Sequence, residues 1–305
     1  MTSIDFTQLL RDAKKQAKQK RHSPTRSQNN PPTKSSLPPL VTPIHSSIQQ
    51  EKQQPSVPEW NPQQNSSLSF QPLTLQKVCS DPPSIYYSPK CLANSDPLWE
   101  WLVSLPVGDS GMGEWKTMTY GKRKVCMFPP PLPPPLSLIA QSLVERGIFP
   151  SHQPPNHVLL NDYQPSQGIL PHTDGPCYAS RTATLSLGSN VVLEFTRRLT
   201  PDQIGTTTPT TKAAAATTTE PPSHESSSSS SLTTRSILLH ADSLIVFENE
   251  AYQDYCHGIS MDVMEDVTTH TCLNAPPGIS IVRGRRISLT FRHVLPSPAT
   301  KSATT

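Results

Sequence analysis

Proline decides where this chain can fold. A proline has no amide hydrogen and a fixed φ, so neither a helix interior nor a central strand runs where prolines crowd. The chain has 35 prolines in 305 residues, dense in the first sixty as Pro31-Pro32 and Pro38-Pro39 among Gln, Ser, Asn and Thr. A second soft region, from about Gly205 to Arg235, holds the Ala213 to Thr219 tract and the Ser226 to Ser231 run. Neither stretch can bury enough apolar surface to offset the entropy of ordering it. The expected organisation is a disordered tail over 1–75, one domain over 76–296 with a disordered insertion at 205–235, and a disordered terminus at 297–305.

Charge follows the same division. The first sixty residues hold nine Lys/Arg against four Asp/Glu, a balance of +5; the remainder holds 17 against 19, a balance of −2. Within the tail, Ser3 to about Lys20 can form an amphipathic helix, with Ser3 as cap and Phe6, Leu9, Leu10, Ala13 and Ala17 near one face. Its basic second half suits phosphates, an importin or an acidic protein partner. Six scattered cysteines without a Cys-x-x-Cys pair argue against zinc ribbons and disulfide scaffolds. With no signal peptide or membrane-spanning apolar run, the expectation is a soluble monomer with reduced thiols, in the nucleus and cytoplasm.

In the remaining region, two helices precede most of the strands. Pro97 to Leu105 opens on a proline and stops at Pro106, and Leu136 to Arg146 stops at Gly147. Short β-like segments accompany them: Ile85 to Tyr87, His157 to Tyr163, Ala183 to Leu187, Val191 to Thr196, Ser236 to Leu239, Ser243 to Phe247 and Arg286 to Val294. Helices followed by many short strands predict an α+β chain: a double-stranded β-helix (jelly roll) core with N-terminal flanking helices and a long disordered N-terminal tail.

Three pieces carry chemistry. His172 and Asp174 stand two apart, so an extended segment sends both from one face. One imidazole, one carboxylate and a second imidazole make the facial triad of non-haem Fe(II) oxygenases. His257, after a hydrophobic strand and before Gly258, is the best third ligand, brought back by a loop; His240 is its main rival. In Arg286 to Arg292, Arg286, Ser288, Thr290 and Arg292 share one face, and Ile287, Leu289 and Phe291 share the other, expected to meet the second sheet. The two arginines stand about 20 Å apart at full extension, a spacing that suits a dicarboxylate between them. Asn161 and Tyr163 likewise alternate onto one face and offer an amide and a phenol.

Taken in order, Asn161-x-Tyr163, Pro171-His172-x-Asp174-Gly175-Pro176, Ala183 to Ser189, His257-Gly258 and Arg286-x-Ser288-x-x-x-Arg292 resemble the AlkB-like 2-oxoglutarate- and Fe(II)-dependent dioxygenases. Asn156 to Tyr163 with Gly175-Pro176 is similar to the branch of the sixth human AlkB homologue, and the resemblance covers roughly Pro82 to Val294. It implies that His172, Asp174 and His257 bind iron. It also implies that Arg286, Tyr163 and Ser288 hold the distal carboxylate of 2-oxoglutarate, with Arg292 and Asn161 near its other end and Tyr178 a lesser candidate for the pocket wall. The implied reaction uses Fe(II), 2-oxoglutarate and O2, releases succinate and oxidises a substrate C–H bond; an N-methyl group oxidised this way leaves as formaldehyde.

Where such relatives carry a substrate lid, Trp115 to Phe128 departs from their pattern. Its Tyr120 and Lys122-Arg123-Lys124 read either as a phosphate grip or as a solvated turn. The leading expectation is oxidative demethylation of RNA or DNA. The alternatives are the same oxidation on a protein side chain, favoured by the −2 balance outside the tail, a non-catalytic jelly-roll module, and, more remotely, a hydrolytic zinc site.

Overall fold

The computed structural model describes residues 56–61, 68, 70–198 and 234–296. The expected tail helix over 3–20 and the terminus at 297–305 lie outside them. Along the chain come β1 (Gln76–Lys77), β2 (Ile85–Ser88), α1 (Asp96–Ser104), β3 (Lys116–Thr117), β4 (Lys124–Phe128), α2 (Pro134–Glu145) and β5 (His157–Tyr163). These are followed by β6 (Ile169–His172), β7 (Arg181–Gly188), β8 (Val191–Arg197), β9 (Thr234–Leu239) and β10 (Leu244–Glu248). The last are α3 (Asn249–Gln253), β11 (Tyr255–Ile259), β12 (Glu265–Val267), β13 (Ser280–Val282) and β14 (Arg286–Arg292).

An eight-stranded sheet runs β1-β2-β10-β7-β14-β5-β4-β3, and a four-stranded sheet runs β6-β11-β8-β9. From β5 onward the chain crosses between them: β5, β7, β10 and β14 belong to the large sheet, β6, β8, β9 and β11 to the small one. All these pairings are antiparallel. The core is thus mostly sheet with few helices, and the crossing gives the expected jelly roll.

The alternation on β14 holds, but its apolar face points elsewhere than expected. Ile287, Leu289 and Phe291 are fully buried in one cluster with Leu98, Trp101 and Leu102 of α1 and Leu136, Ile139 and Leu143 of α2. The helices, not the second sheet, cover that face, and the polar face looks between the sheets. Two-sided burial of β14 explains why all seven of its residues are buried. Both helices keep proline in the first turn, where the missing amide hydrogen costs nothing.

Two expected boundaries move. Trp60 is 7% exposed and packs edge-on against Trp101 at 6.3 Å, while Trp101 Nε1 donates to the Pro58 carbonyl at 3.0 Å. The folded unit therefore begins at Val57, inside the stretch read as a tail. Burying about 150–250 Å² of one tryptophan at about 25 cal/mol per Å² contributes roughly 4–6 kcal/mol, enough to anchor a short polar segment. At the other boundary, Thr234 and Arg235, placed in the insertion, pair with Thr196 and Phe195 as the start of β9. The rest of that insertion, from 205 to 233, lies outside the described residues.

Candidate active site

The pocket between the sheets collects the polar face of β14, alternate residues of β5 and β7, and the small-sheet strands β6 and β11. The antiparallel register sets His257 of β11 directly opposite His172 of β6. Residues so paired bring their side chains together, and the ring centroids lie 4.4 Å apart. His257 thus reaches the site from mid-strand, not from the expected loop. Gly258 makes the pairing fit: a Cβ there would lie 3.0 Å from the Ile169 carbonyl oxygen and the Pro171 nitrogen, beside a break in the register. Proline 171 is tolerated because β6 is an edge strand.

Asp174 corrects a second expectation. Strand β6 ends at His172, so the pleat does not carry Asp174 onto the same face. Side chains from the large sheet hold it instead. Arg292 donates from Nε to Oδ2 at 3.1 Å and from Nη2 to Oδ1 at 2.5 Å, and Thr182 Oγ1 donates to Oδ2 at 2.9 Å. His172, Asp174 and His257 then offer ligand atoms that all lie within 4.8 Å of one another, the one such group found among the described residues. His240, the rival, is engaged with the Tyr87 hydroxyl at 2.8 Å and lies outside the group.

The electrostatics suit a metal. Burial pushes the His257 imidazole down to about 3, against the pull of Asp174, and burial also lowers His172. Burial pushes the Asp174 carboxyl up, but Arg292, the two histidines and Thr182 outweigh it and hold it below its ordinary value. His172 Nδ1 lies 2.9 Å from the Leu170 carbonyl, which can only accept, so the proton sits on Nδ1 and Nε2 is free to ligate. Two neutral imidazoles and one carboxylate form the donor set that non-haem Fe(II) takes.

Across the pocket, β14 pairs with β5 at Arg286↔Tyr163 and Ser288↔Asn161. Four of the five residues expected to hold an organic acid therefore form two adjacent cross-strand pairs. Arg286 is 4% exposed, its guanidinium lies 5.5 Å from the Tyr163 ring centroid, and its Nη2 donates to Ser186 Oγ at 2.9 Å. Its Nε, also buried, has no partner. Burial lowers this guanidinium to about 10, so it stays cationic. A buried cation with a spare donor in a pocket wall is built for an anion.

Arg292 lines the same pocket, but its fork is on Asp174 and its guanidinium stacks 5.0 Å from the Tyr178 ring centroid. It holds a candidate ligand side chain, and Tyr178 lines the neighbouring cavity beside Asp174 instead of this one. Trp115 to Phe128 is not a free lid. Trp115 is buried with Nε1 donating to the Leu102 carbonyl at 2.9 Å, and β3 and β4 form a hairpin at the large-sheet edge. Sequence reasoning missed Thr182 and Ser186, although Thr182, Thr184 and Ser186 alternate with Ala183, Leu185 and Leu187 on β7 as plainly as the pattern on β14. It also missed that Arg123 bonds Asn161.

The sequence is similar to known proteins. The family model of the 2OG-Fe(II) oxygenase superfamily matches residues 103–292. The chain is 30% identical over 232 residues to "Probable RNA/DNA demethylase ALKBH6" of Danio rerio, covering 70% of this chain and 86% of that one. It is 28% identical over 181 residues to "tRNA (carboxymethyluridine(34)-5-O)-methyltransferase ALKBH8" of Macaca fascicularis, covering 55% of this chain and 22% of that protein. Among solved structures, that of OsALKBH1 is 16% identical with a TM-score of 0.43, covering 72% of this chain and 100% of that one.

Proposed function

Because the chain belongs to the AlkB-like family of the 2OG-Fe(II) oxygenase superfamily, and so is a dioxygenase that uses Fe(II), 2-oxoglutarate and O2, we propose that it oxidatively demethylates nucleic acid. In this reading His172, Asp174 and His257 hold the iron. Arg286, Tyr163, Ser288 and Asn161 hold 2-oxoglutarate, with Arg292 fixing Asp174. The observation that carries the site assignment is the unpartnered donor of buried Arg286 in the pocket that His172 and His257 of the His-Asp-His group also line. When bound, iron with 2-oxoglutarate and O2 supplies the oxidising power for a C–H bond and yields succinate.

The chain's own residues do the rest. Arg286 neutralises and orients the distal carboxylate, bidentate pairing being what a guanidinium fork does best. Arg292 and Thr182 keep Asp174 ionised and in place. Leu193, Leu239, Phe247 and Ile259 give the pocket apolar walls that exclude water. Nucleic acid as the substrate is supported by the relative described as a probable RNA/DNA demethylase, and by Tyr120, 85% exposed on the β3–β4 turn beside Lys122. An exposed aromatic beside a cation suits an unstacked base and its phosphate. Residence in nucleus and cytoplasm, as a monomer, goes with this reading. One observation favours a protein substrate instead: the balance of −2 outside the first sixty residues.

Formaldehyde release and product mass are measured on N-methylated RNA and DNA oligonucleotides and on methylated peptides, with Fe(II), 2-oxoglutarate and ascorbate. The expected result is demethylation of an oligonucleotide, weakening as salt rises. Demethylation of peptides alone would overturn the nucleic-acid reading.

A further inference from the structure

Lys122-Arg123-Lys124 reads in sequence as one basic cluster, but the sheet divides it. Strand β4 pairs with β5 at Lys124↔Asp162 and Val125↔Asn161, and Cys126 and Phe128 belong to the helix-covered core. By the pleat, Val125 shares the face of Asn161, which lines the pocket together with Tyr163, and Arg123 stands one residue before the strand. Extended by one step, the register sets Arg123 opposite Tyr163 and diagonal to Asn161, a gap that a long side chain spans. Its Nε donates to Asn161 Oδ1 at 3.0 Å.

The turn that carries Arg123 is itself fixed. Met118 donates to the Arg123 carbonyl at 2.9 Å, and Gln167 Nε2 donates to the Lys122 carbonyl at 3.2 Å. Gly121, at φ +72°, seats the turn against the loop leading into β6: a Cβ there would come within 3.1 Å of the Gly168 carbonyl oxygen. The backbone around Arg123 is thus held from both sides.

A guanidinium only donates, so the Asn161 atom facing Arg123 is the amide oxygen. That leaves the two Nδ2 hydrogens for the pocket that Asn161 lines, on a side chain 5% exposed. Without Arg123 the amide is free to turn over and present its oxygen to an anion, which repels it.

We propose that Arg123 is a positioning residue for the cosubstrate: by holding Asn161 Oδ1 it aims the Nδ2 donors at a carboxylate oxygen of 2-oxoglutarate. This rests on the reading of the pocket as the 2-oxoglutarate site. It assigns Arg123 to the cosubstrate, not to a substrate phosphate.

The test is calorimetric binding of 2-oxoglutarate to the full chain loaded with Mn(II), in wild type, Arg123→Met, Arg123→Lys, Asn161→Ala and the Arg123→Met/Asn161→Ala double variant. Mn(II) binding by each variant, unchanged from wild type, shows that the fold and the His-Asp-His group stand. Arg123→Met is expected to weaken 2-oxoglutarate roughly tenfold, the worth of one oriented hydrogen bond. Arg123→Lys recovers part of this, and the double variant binds no more weakly than Asn161→Ala alone, because Arg123 acts through Asn161. Unchanged binding by Arg123→Met, or losses that multiply in the double variant, would overturn the proposal. Wild-type protein that takes up Mn(II) but no 2-oxoglutarate would overturn the pocket reading itself, and this inference with it.

Discussion

Replacing Arg286 with lysine keeps a cation at the start of β14 and removes its fork. The wild-type guanidinium has one arm on Ser186 and a spare Nε, so an incoming carboxylate meets a preset donor edge. Lysine offers a point charge on a flexible stem and cannot serve Ser186 and a carboxylate in that planar geometry. The loss is about one charge-assisted hydrogen bond, roughly 1.5–3 kcal/mol, which at 1.4 kcal/mol per factor of ten is roughly 10- to 150-fold in affinity. The ligand group stays intact, because its anchor Arg292 is at the other end of β14, about 20 Å away. Succinate formation followed against 2-oxoglutarate concentration should show KM raised by that factor and kcat at saturation within about threefold. A KM within threefold of wild type, or a fall in kcat with KM unchanged, would refute the assignment of Arg286 to the cosubstrate.

Other expectations follow from the same geometry. Arg292→Leu leaves the Asp174 carboxylate, 4% exposed, without its partner, and should cost the metal-free protein about 3–5 kcal/mol in urea unfolding. Added Mn(II) should restore part of the loss; if the variant is as stable as wild type, the ion pair does not hold Asp174. Burial, with Arg292 nearby, pushes His157 down to about 3, so the unfolded chain takes up a proton there below about 6.5 while the folded one does not. Its contribution is full above that value and is lost as pH falls from 6.5 toward 3, at up to about 1.4 kcal/mol per pH unit. Unfolding curves between pH 7 and 4 should be flatter in His157→Gln by about that slope; parallel curves would count against a neutral buried imidazole.

What the sequence shows, and where it stops, divides by the range of the contact. On β14 and β5 the face each side chain takes follows from its parity, because both strands are regular and buried on two sides, so the shared face of Arg286 and Ser288 and that of Asn161 and Tyr163 were legible, though not what covers the apolar face of β14. Asp174 was placed beside His172 for the wrong reason. Its place depends on Arg292 and Thr182, 118 and 8 residues away, and not on the pleat of β6. His257 sits in Tyr-Cys-His-Gly-Ile, too polar and glycine-broken to read as a strand, yet its pairing with β6 makes it one. Trp60 was hidden by its neighbours, since one aromatic in a polar stretch carries no periodicity. Arg123 was masked by the lysines on either side of it, which sequence counts as one cluster and a sheet does not.

In the proposed reading, His172, Asp174 and His257 form an iron site beside a 2-oxoglutarate pocket. The most direct test is the succinate formed from 2-oxoglutarate with Fe(II), ascorbate and air, in wild type and His172→Ala, without added substrate. The expected result is succinate from the wild-type chain and only the enzyme-free background from His172→Ala. Equal succinate from both proteins, or none from wild-type protein that binds Fe(II), would contradict it.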